Sequence, residues 1–108
     1  MPTKIELIVD ELDDAEAFDA KVPELLDQAK ALPGLTRLTS GKVWPKEDGT
    51  PRPAHRTLQL WFADYDAASA AVESEAGQVF FHGFVGGAGG KVTGLFTDVE
   101  TVWEADAV

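Results

Sequence analysis

His55 and His82 are the only histidines in the 108-residue sequence. Imidazole is the side chain whose ordinary pKa lets it take or give a proton near pH 7, so general acid-base catalysis would fall to these two. They stand 27 residues apart with no HExxH-like spacing, and the expectation is no metal site. His55 opens a strand-like run, where a surface or capping role is the ordinary one. His82 lies among Phe80, Phe81 and Phe84, which could set it at the rim of an apolar pocket between helix and sheet. Trp44, Trp61, Tyr65 and those phenylalanines carry more aromatic surface than so small a core needs, and an aromatic-lined pocket favours flat or apolar ligands. Trp61, Trp44 and Phe84 are the candidate walls and Gln59 the polar anchor, although core and subunit interface are equally ordinary uses of aromatic residues.

Other chemistries find no support in the sequence. There is no cysteine, which excludes disulfides, a thiolate nucleophile and thiolate-bound zinc. The Gly86 to Gly90 stretch precedes a strand and has neither the GxxxxGK[ST] nor the GxGxxG spacing, so it reads as a flexible connection and not as a phosphate cradle. No pair of carboxylates sits in an apolar setting that would split two pKa values for glycosidase-like work. No cofactor is expected; a haem-binding barrel is a further alternative, since either His could serve as the axial ligand.

Nine Lys plus Arg against nineteen Asp plus Glu leave a formal charge of -10, which repels phosphate backbones and anionic headgroups. Nucleic acid and membrane are therefore not expected partners. No apolar run approaches the roughly 20 residues that span a bilayer, and Met1 to Lys4 lead straight into an alternating strand without a secretory pattern. A cytoplasmic protein is the expectation. The length suits one domain over residues 1–108, and 44% apolar residues suffice for a packed core.

The elements that must position these residues follow from periodicity. Lys4 to Asp10 alternates as a half-buried strand, with Ile8 as the exception. Asp13 and Glu16 have capping-box spacing, and Phe18, Val22, Leu25, Leu26, Ala29 and Leu32 recur at helical intervals, with a kink or restart expected at Pro23. Leu35 to Trp44 and His55 to Phe62 read as strands around the exposed, proline-rich loop Pro45 to Pro53. Asp64 caps a short helix, a further turn or two carries Val79, Phe80 and Phe84, and Lys91 to Trp103 forms the last strand. The order βαββαβ predicts an α+β, ferredoxin-like fold, a four-stranded antiparallel sheet with helices on one face. The other face, bearing Ile8, Trp61 and part of the last strand, would be bare in a monomer, so a homodimer is expected.

The run Leu60-Trp61-Phe62-Ala63-Asp64, the Ser74-Glu75-Ala76-Gly77-Gln78 turn and the glycine-rich approach to the last strand resemble the second half of EthD domains. Phe18-Asp19, Pro33-Gly34-Leu35 and the proline-rich loop continue the likeness, which thus covers nearly the whole chain. The resemblance implies a dimeric α+β barrel. EthD-like proteins are associated with degradation of ethers and other small organic molecules, and relatives of the fold include cofactor-free monooxygenases of aromatic polyketides and lactone isomerases. Family members usually carry a His two residues before a Pro in the first helix, where this chain has Lys21-Val22-Pro23; Gln59 stands where relatives often have Glu. Lysine is normally protonated and an amide transfers no protons, so neither residue inherits an acid-base role.

Two functions are compatible with this reading. One is a cofactor-independent oxygenase or isomerase, or an accessory protein of catabolism or secondary metabolism, acting on an apolar or aromatic compound. The other is a non-catalytic ligand-binding or structural dimer that has lost the helix His.

Overall fold

Along the first strand, β1 (Thr3–Val9), every second side chain is buried: Thr3, Ile5, Leu7 and Val9 point one way, while Lys4, Glu6 and Ile8 lie half-buried on the other face. The computed structural model describes residues 1–106. After β1 come α1 (Ala15–Lys30), β2 (Arg37–Lys42), β3 (Arg56–Phe62), α2 (Tyr65–Glu73), α3 (Glu75–Gly87) and β4 (Val92–Asp98). The strands form one antiparallel sheet in the order β2-β3-β1-β4. The α+β, ferredoxin-like arrangement expected from the sequence is therefore present, with its second helical segment divided in two.

Register places the apolar residues together. Ile5 pairs with Leu60, Leu7 with Leu58 and Thr3 with Phe62, so one face of the central pair is a continuous apolar surface. Against it α1 presents Phe18, Val22, Leu25 and Ala29, spaced by four, three and four residues as one helix stripe requires. Full burial of each Phe or Leu contributes about 1.5–3 kcal/mol, which is what holds the helix layer down.

Several boundaries differ from those the sequence predicted. Asp14, not Asp13, caps α1, its carboxylate accepting from the Ala17 amide at 3.1 Å. The helix does not restart at Pro23: this exposed proline forgoes only the bond its nitrogen would make to the carbonyl of Asp19, and the buried stripe on the other side continues. The glycine stretch is half helical, because Phe80, Phe84 and Ala88 are buried four residues apart and carry α3 through Gly87. Gly89 and Gly90, with φ of 62° and 79°, then end it, the Gly90 amide donating to the Val85 carbonyl. The last strand stops at Asp98, the partner of Thr3; beyond it the Val99 amide still donates to the Pro2 carbonyl at 2.8 Å, but proline has no N–H with which to continue the ladder.

Ser74 serves two helices. Its backbone closes α2, and its hydroxyl donates to the Ala71 carbonyl and accepts from the Gly77 amide at 3.0 Å, capping α3. Gly77 is required by the tight corner: a Cβ there would fall 2.1 Å from the Ala71 carbonyl oxygen and 2.6 Å from that of Val72.

The helices cover one face of the sheet. The other carries Lys4, Glu6, Ile8, Thr57, Gln59, Trp61 and Leu95, and β4 at the edge leaves both Leu95 and Phe96 exposed.

Candidate functional site

The site assembles where the chain enters β3. Here the His55 amide donates to the Val9 carbonyl at 2.7 Å and the His55 carbonyl accepts from the Val43 amide at 3.1 Å, pinning the residue between the end of β1 and the chain leaving β2. Its side chain is therefore drawn inward, only 4% exposed, with the edge of Phe18 on one side. Burial of Phe18 carries the next residue of α1, Asp19, to the rim of the sheet. His55 Nε2 and Asp19 Oδ1 are 2.8 Å apart.

Cations surround this pair. Arg56 Nε reaches Asp19 Oδ1 at 3.4 Å and its Nη1 donates to Ser40 Oγ; Lys42 Nζ lies 3.9 Å from Asp19 Oδ2. Arg52 Nη2 approaches His55 Nδ1 at 3.4 Å, and its Nε and Nη2 hold the Glu11 carboxylate at 2.8 and 3.1 Å. A guanidinium only donates, so the Nδ1 facing it is the lone-pair nitrogen, and the imidazole proton belongs on Nε2, facing Asp19. Partial burial pushes the Asp19 carboxyl up; the His55 hydrogen bond and the attraction of the Arg56 and Lys42 charges outweigh it and hold the carboxyl below its usual range.

Arg52 has a second role. With Lys42, Val43, Trp44 and Pro45 it lines an open cleft of about 420 Å³, beside which the Trp44 ring is 86% exposed. The arrangement is an oriented imidazole whose second nitrogen is separated from a mainly apolar cleft by one guanidinium. Such a pair can hold a proton at Nε2 and receive one at Nδ1 once Arg52 is engaged elsewhere.

The residues singled out in the sequence do not all converge here. Trp44 and His55 belong to this end of the molecule, and His55 is buried rather than at the surface. His82 corrects its expectation: position 82 lies half a helix turn from the buried Phe80 and Phe84, so the imidazole faces away from the sheet and is exposed. Phe84 is buried in the core, its ring 5.6 Å from that of Phe18, and takes no part in lining the cleft that Lys42, Val43, Trp44, Pro45 and Arg52 form. Gln59 and Trp61 lie on the uncovered sheet face, Gln59 donating to Glu6 at 2.8 Å and Trp61 lying between Lys4 and Arg37, 5.7 and 5.2 Å from its ring centre. The Trp61 indole nitrogen is buried without a partner among the described residues. Sequence reasoning missed Asp19, Arg52 and Glu11 as site residues. The one signal was Phe18-Asp19 among the EthD-like motifs; a gap of 36 residues between Asp19 and His55 carries no spacing rule. Among the described residues no three His, Asp or Glu side chains group as metal ligands, and no helix is long and apolar enough to cross a membrane.

No family model matches the chain. An EthD family protein from Bacillus halodurans superposes on it with a TM-score of 0.84 at 16% identity, covering 92% of this chain and 99% of that one. An uncharacterized 11.0 kDa protein from the thcB-thcC intergenic region of Rhodococcus erythropolis is 36% identical over 87 residues, 81% of each chain. The chain belongs to one family with this Rhodococcus protein, and its fold is that of the EthD protein. Its fold is shared with a dimeric ferredoxin-like protein from Jannaschia, at a TM-score of 0.64, 18% identity and coverage of 91% and 98%. SnoaB, a cofactor-independent oxygenase from Streptomyces nogalater crystallised as a mutant, gives a TM-score of 0.59 at 15% identity, with 94% of each chain covered. At these identities the likeness of the chain to solved structures is one of fold.

Proposed function

We propose that this EthD-like protein is a cytoplasmic homodimer of small-molecule metabolism that holds an apolar or aromatic compound in the cleft beside Trp44, with His55 as its proton carrier. The observation that carries the reading is the Asp19-His55 hydrogen bond of 2.8 Å, reaching the cleft through Arg52. Asp19 orients the ring and Arg52 controls access to Nδ1, which gives the imidazole a defined basic nitrogen without any bound cofactor. The reaction class that fits is proton transfer at an activated carbon or oxygen, the step shared by lactone isomerisation and by substrate deprotonation before cofactor-independent oxygenation. His82, exposed on α3 and not among the residues lining the cleft, is assigned no part in it. Gln59, Trp61 and the bare sheet face belong to the subunit contact, a role supported by the dimeric neighbour of the same fold.

Two observations favour a second reading, a binding dimer without turnover. The helix position where relatives usually carry His holds the exposed Lys21, and both nitrogens of His55 are already engaged.

Native mass spectrometry of gently purified protein, followed by assay of any compound found bound, tests both. A dimer with a discrete adduct that is converted by the protein, and no longer converted by His55→Asn while still bound, supports catalysis. Retained adduct with no conversion supports the binding role. A monomer at micromolar concentration overturns the dimeric proposal.

A further inference from the structure

We infer that the cleft beside Trp44 takes the anion of a small aromatic or apolar acid, its carboxylate held by Lys42 and Arg52 and its apolar body laid against Trp44 and Pro45. The inference rests on the proposed small-molecule role of this cleft and names the class of compound.

The charge distribution carries it. The chain has a formal charge of -10, yet two of the five residues lining the cleft are cations and none is a carboxylate. In the surrounding ion cluster Lys42, Arg52 and Arg56 face Asp19 and Glu11, leaving a local surplus of one positive charge. Both lining cations retain capacity to bind. Lys42 touches Asp19 only at 3.9 Å and its side chain is 67% exposed. Arg52 commits Nε and Nη2 to Glu11, while Nη1 makes no contact in that cluster. A carboxylate has the oxygen geometry to bridge an ammonium and a guanidinium edge. A cationic ligand is repelled and a neutral one leaves the surplus uncompensated.

The remaining wall is apolar. Val43, Pro45 and the exposed Trp44 ring offer a flat surface but no acceptor-rich lining, and 420 Å³ exceeds the volume of one or two fused aromatic rings. Binding also lies beside the dyad, because the guanidinium that offers Nη1 to the carboxylate sets its Nη2 3.4 Å from His55 Nδ1.

The test uses 2-naphthoate and its neutral analogue 2-naphthamide as probes of the full-length protein, followed by NMR at the indole N–H of Trp44, identified by its loss in Trp44→Phe. The acid is expected to shift that signal and to bind about tenfold or more tighter than the amide, as one charge-assisted contact provides. Lys42→Gln removes most of that preference, and Arg52→Lys, which keeps the charge but loses the fork, removes part of it. Lys42 is exposed, so an unchanged spectrum of unliganded Lys42→Gln verifies the fold. Equal affinity for acid and amide, or an undiminished preference in both variants, overturns the anion assignment while the cleft remains a ligand site. If neither probe moves the Trp44 signal, the cleft reading itself falls, and the anion assignment with it.

Discussion

Asp19 Oδ1 and His55 Nε2 meet at 2.8 Å across 36 residues of sequence, joining the first half of α1 to the start of β3. This bond ties the helix layer to the sheet at the end where the proline-rich loop departs, so it has a structural consequence whether or not the imidazole ever moves a proton. Because His55 is buried, replacing Asp19 by Asn leaves an amide where three cationic or donating groups expect a carboxylate. Asp19→Asn is expected to lower stability by about 1–3 kcal/mol at pH 6.

The pH dependence has a definite sign. The folded-state pKa of Asp19 lies below its ordinary value, so its contribution is fully present above the unfolded-state pKa of about 3.9 and is lost as pH falls through the folded value. Urea unfolding of wild type and Asp19→Asn should therefore differ at pH 6 and draw together in the acid limb below about pH 4. A gap that stays constant to the lowest pH at which both remain folded would assign the loss to packing and remove the carboxylate from the explanation.

Gly77 gives a sharper expectation. A Cβ at this position meets two backbone carbonyls, of Ala71 and Val72, and backbone atoms cannot swing aside as a side-chain tip can. Gly77→Ala should cost about 3 kcal/mol by forcing the α2-α3 corner open. Gly41 is the control, since a Cβ added there would meet nothing within 4 Å and Gly41→Ala should change stability by less than about 0.5 kcal/mol. Thermal melts of the two variants read this contrast directly, and similar melting temperatures would refute the account of the corner.

The sequence made these features legible to different degrees. Alternation in β1 and β3 named the buried face residue by residue, since a strand has a period of two and register follows from which residues must be hidden. The helix stripe from Phe18 to Ala29 was equally plain. What composition overrode was the glycine stretch: low helix propensity suggested a connection, but burial of Phe84 and Ala88 outweighed it. The site was legible only in part. His55 stood out by type, whereas Asp19 and Arg52 are ordinary charged residues that gain meaning from a long-range juxtaposition no local pattern encodes. Phe84 and His82 misled because neighbours in sequence on a helix point to opposite sides.

The uncovered sheet face yields an assembly prediction. Leu95 on β4 is exposed there, opposite Glu6 in register, with Ile8 on the same face. Leu95→Glu sets a second carboxylate beside Glu6 in the proposed contact, where two copies would bring like charges together without water. The variant should dissociate at least about tenfold more readily than wild type in sedimentation velocity while its far-UV circular dichroism is retained, the size of effect one desolvated like-charge contact produces. An unchanged sedimentation coefficient would move the dimer contact off this face.

The two histidines are separated by one experiment. His82 is exposed on the outer side of α3, so His82→Ala removes no buried contact and should alter stability by less than about 0.5 kcal/mol, with no effect on ligand binding. His55→Ala removes a buried ring and leaves Arg52 facing an unfilled space, which should cost about 2–3 kcal/mol. His55→Gln, whose terminal amide reaches about where Nε2 stood and can donate toward Asp19, should recover part of that loss. It cannot recover proton transfer, because an amide does not titrate in this range. Recovery of stability without recovery of turnover therefore separates the structural share of His55 from its chemical one. If His82→Ala instead abolishes turnover while His55→Gln preserves it, the proton carrier lies on α3 and the Asp19-His55 pair is a structural clip alone.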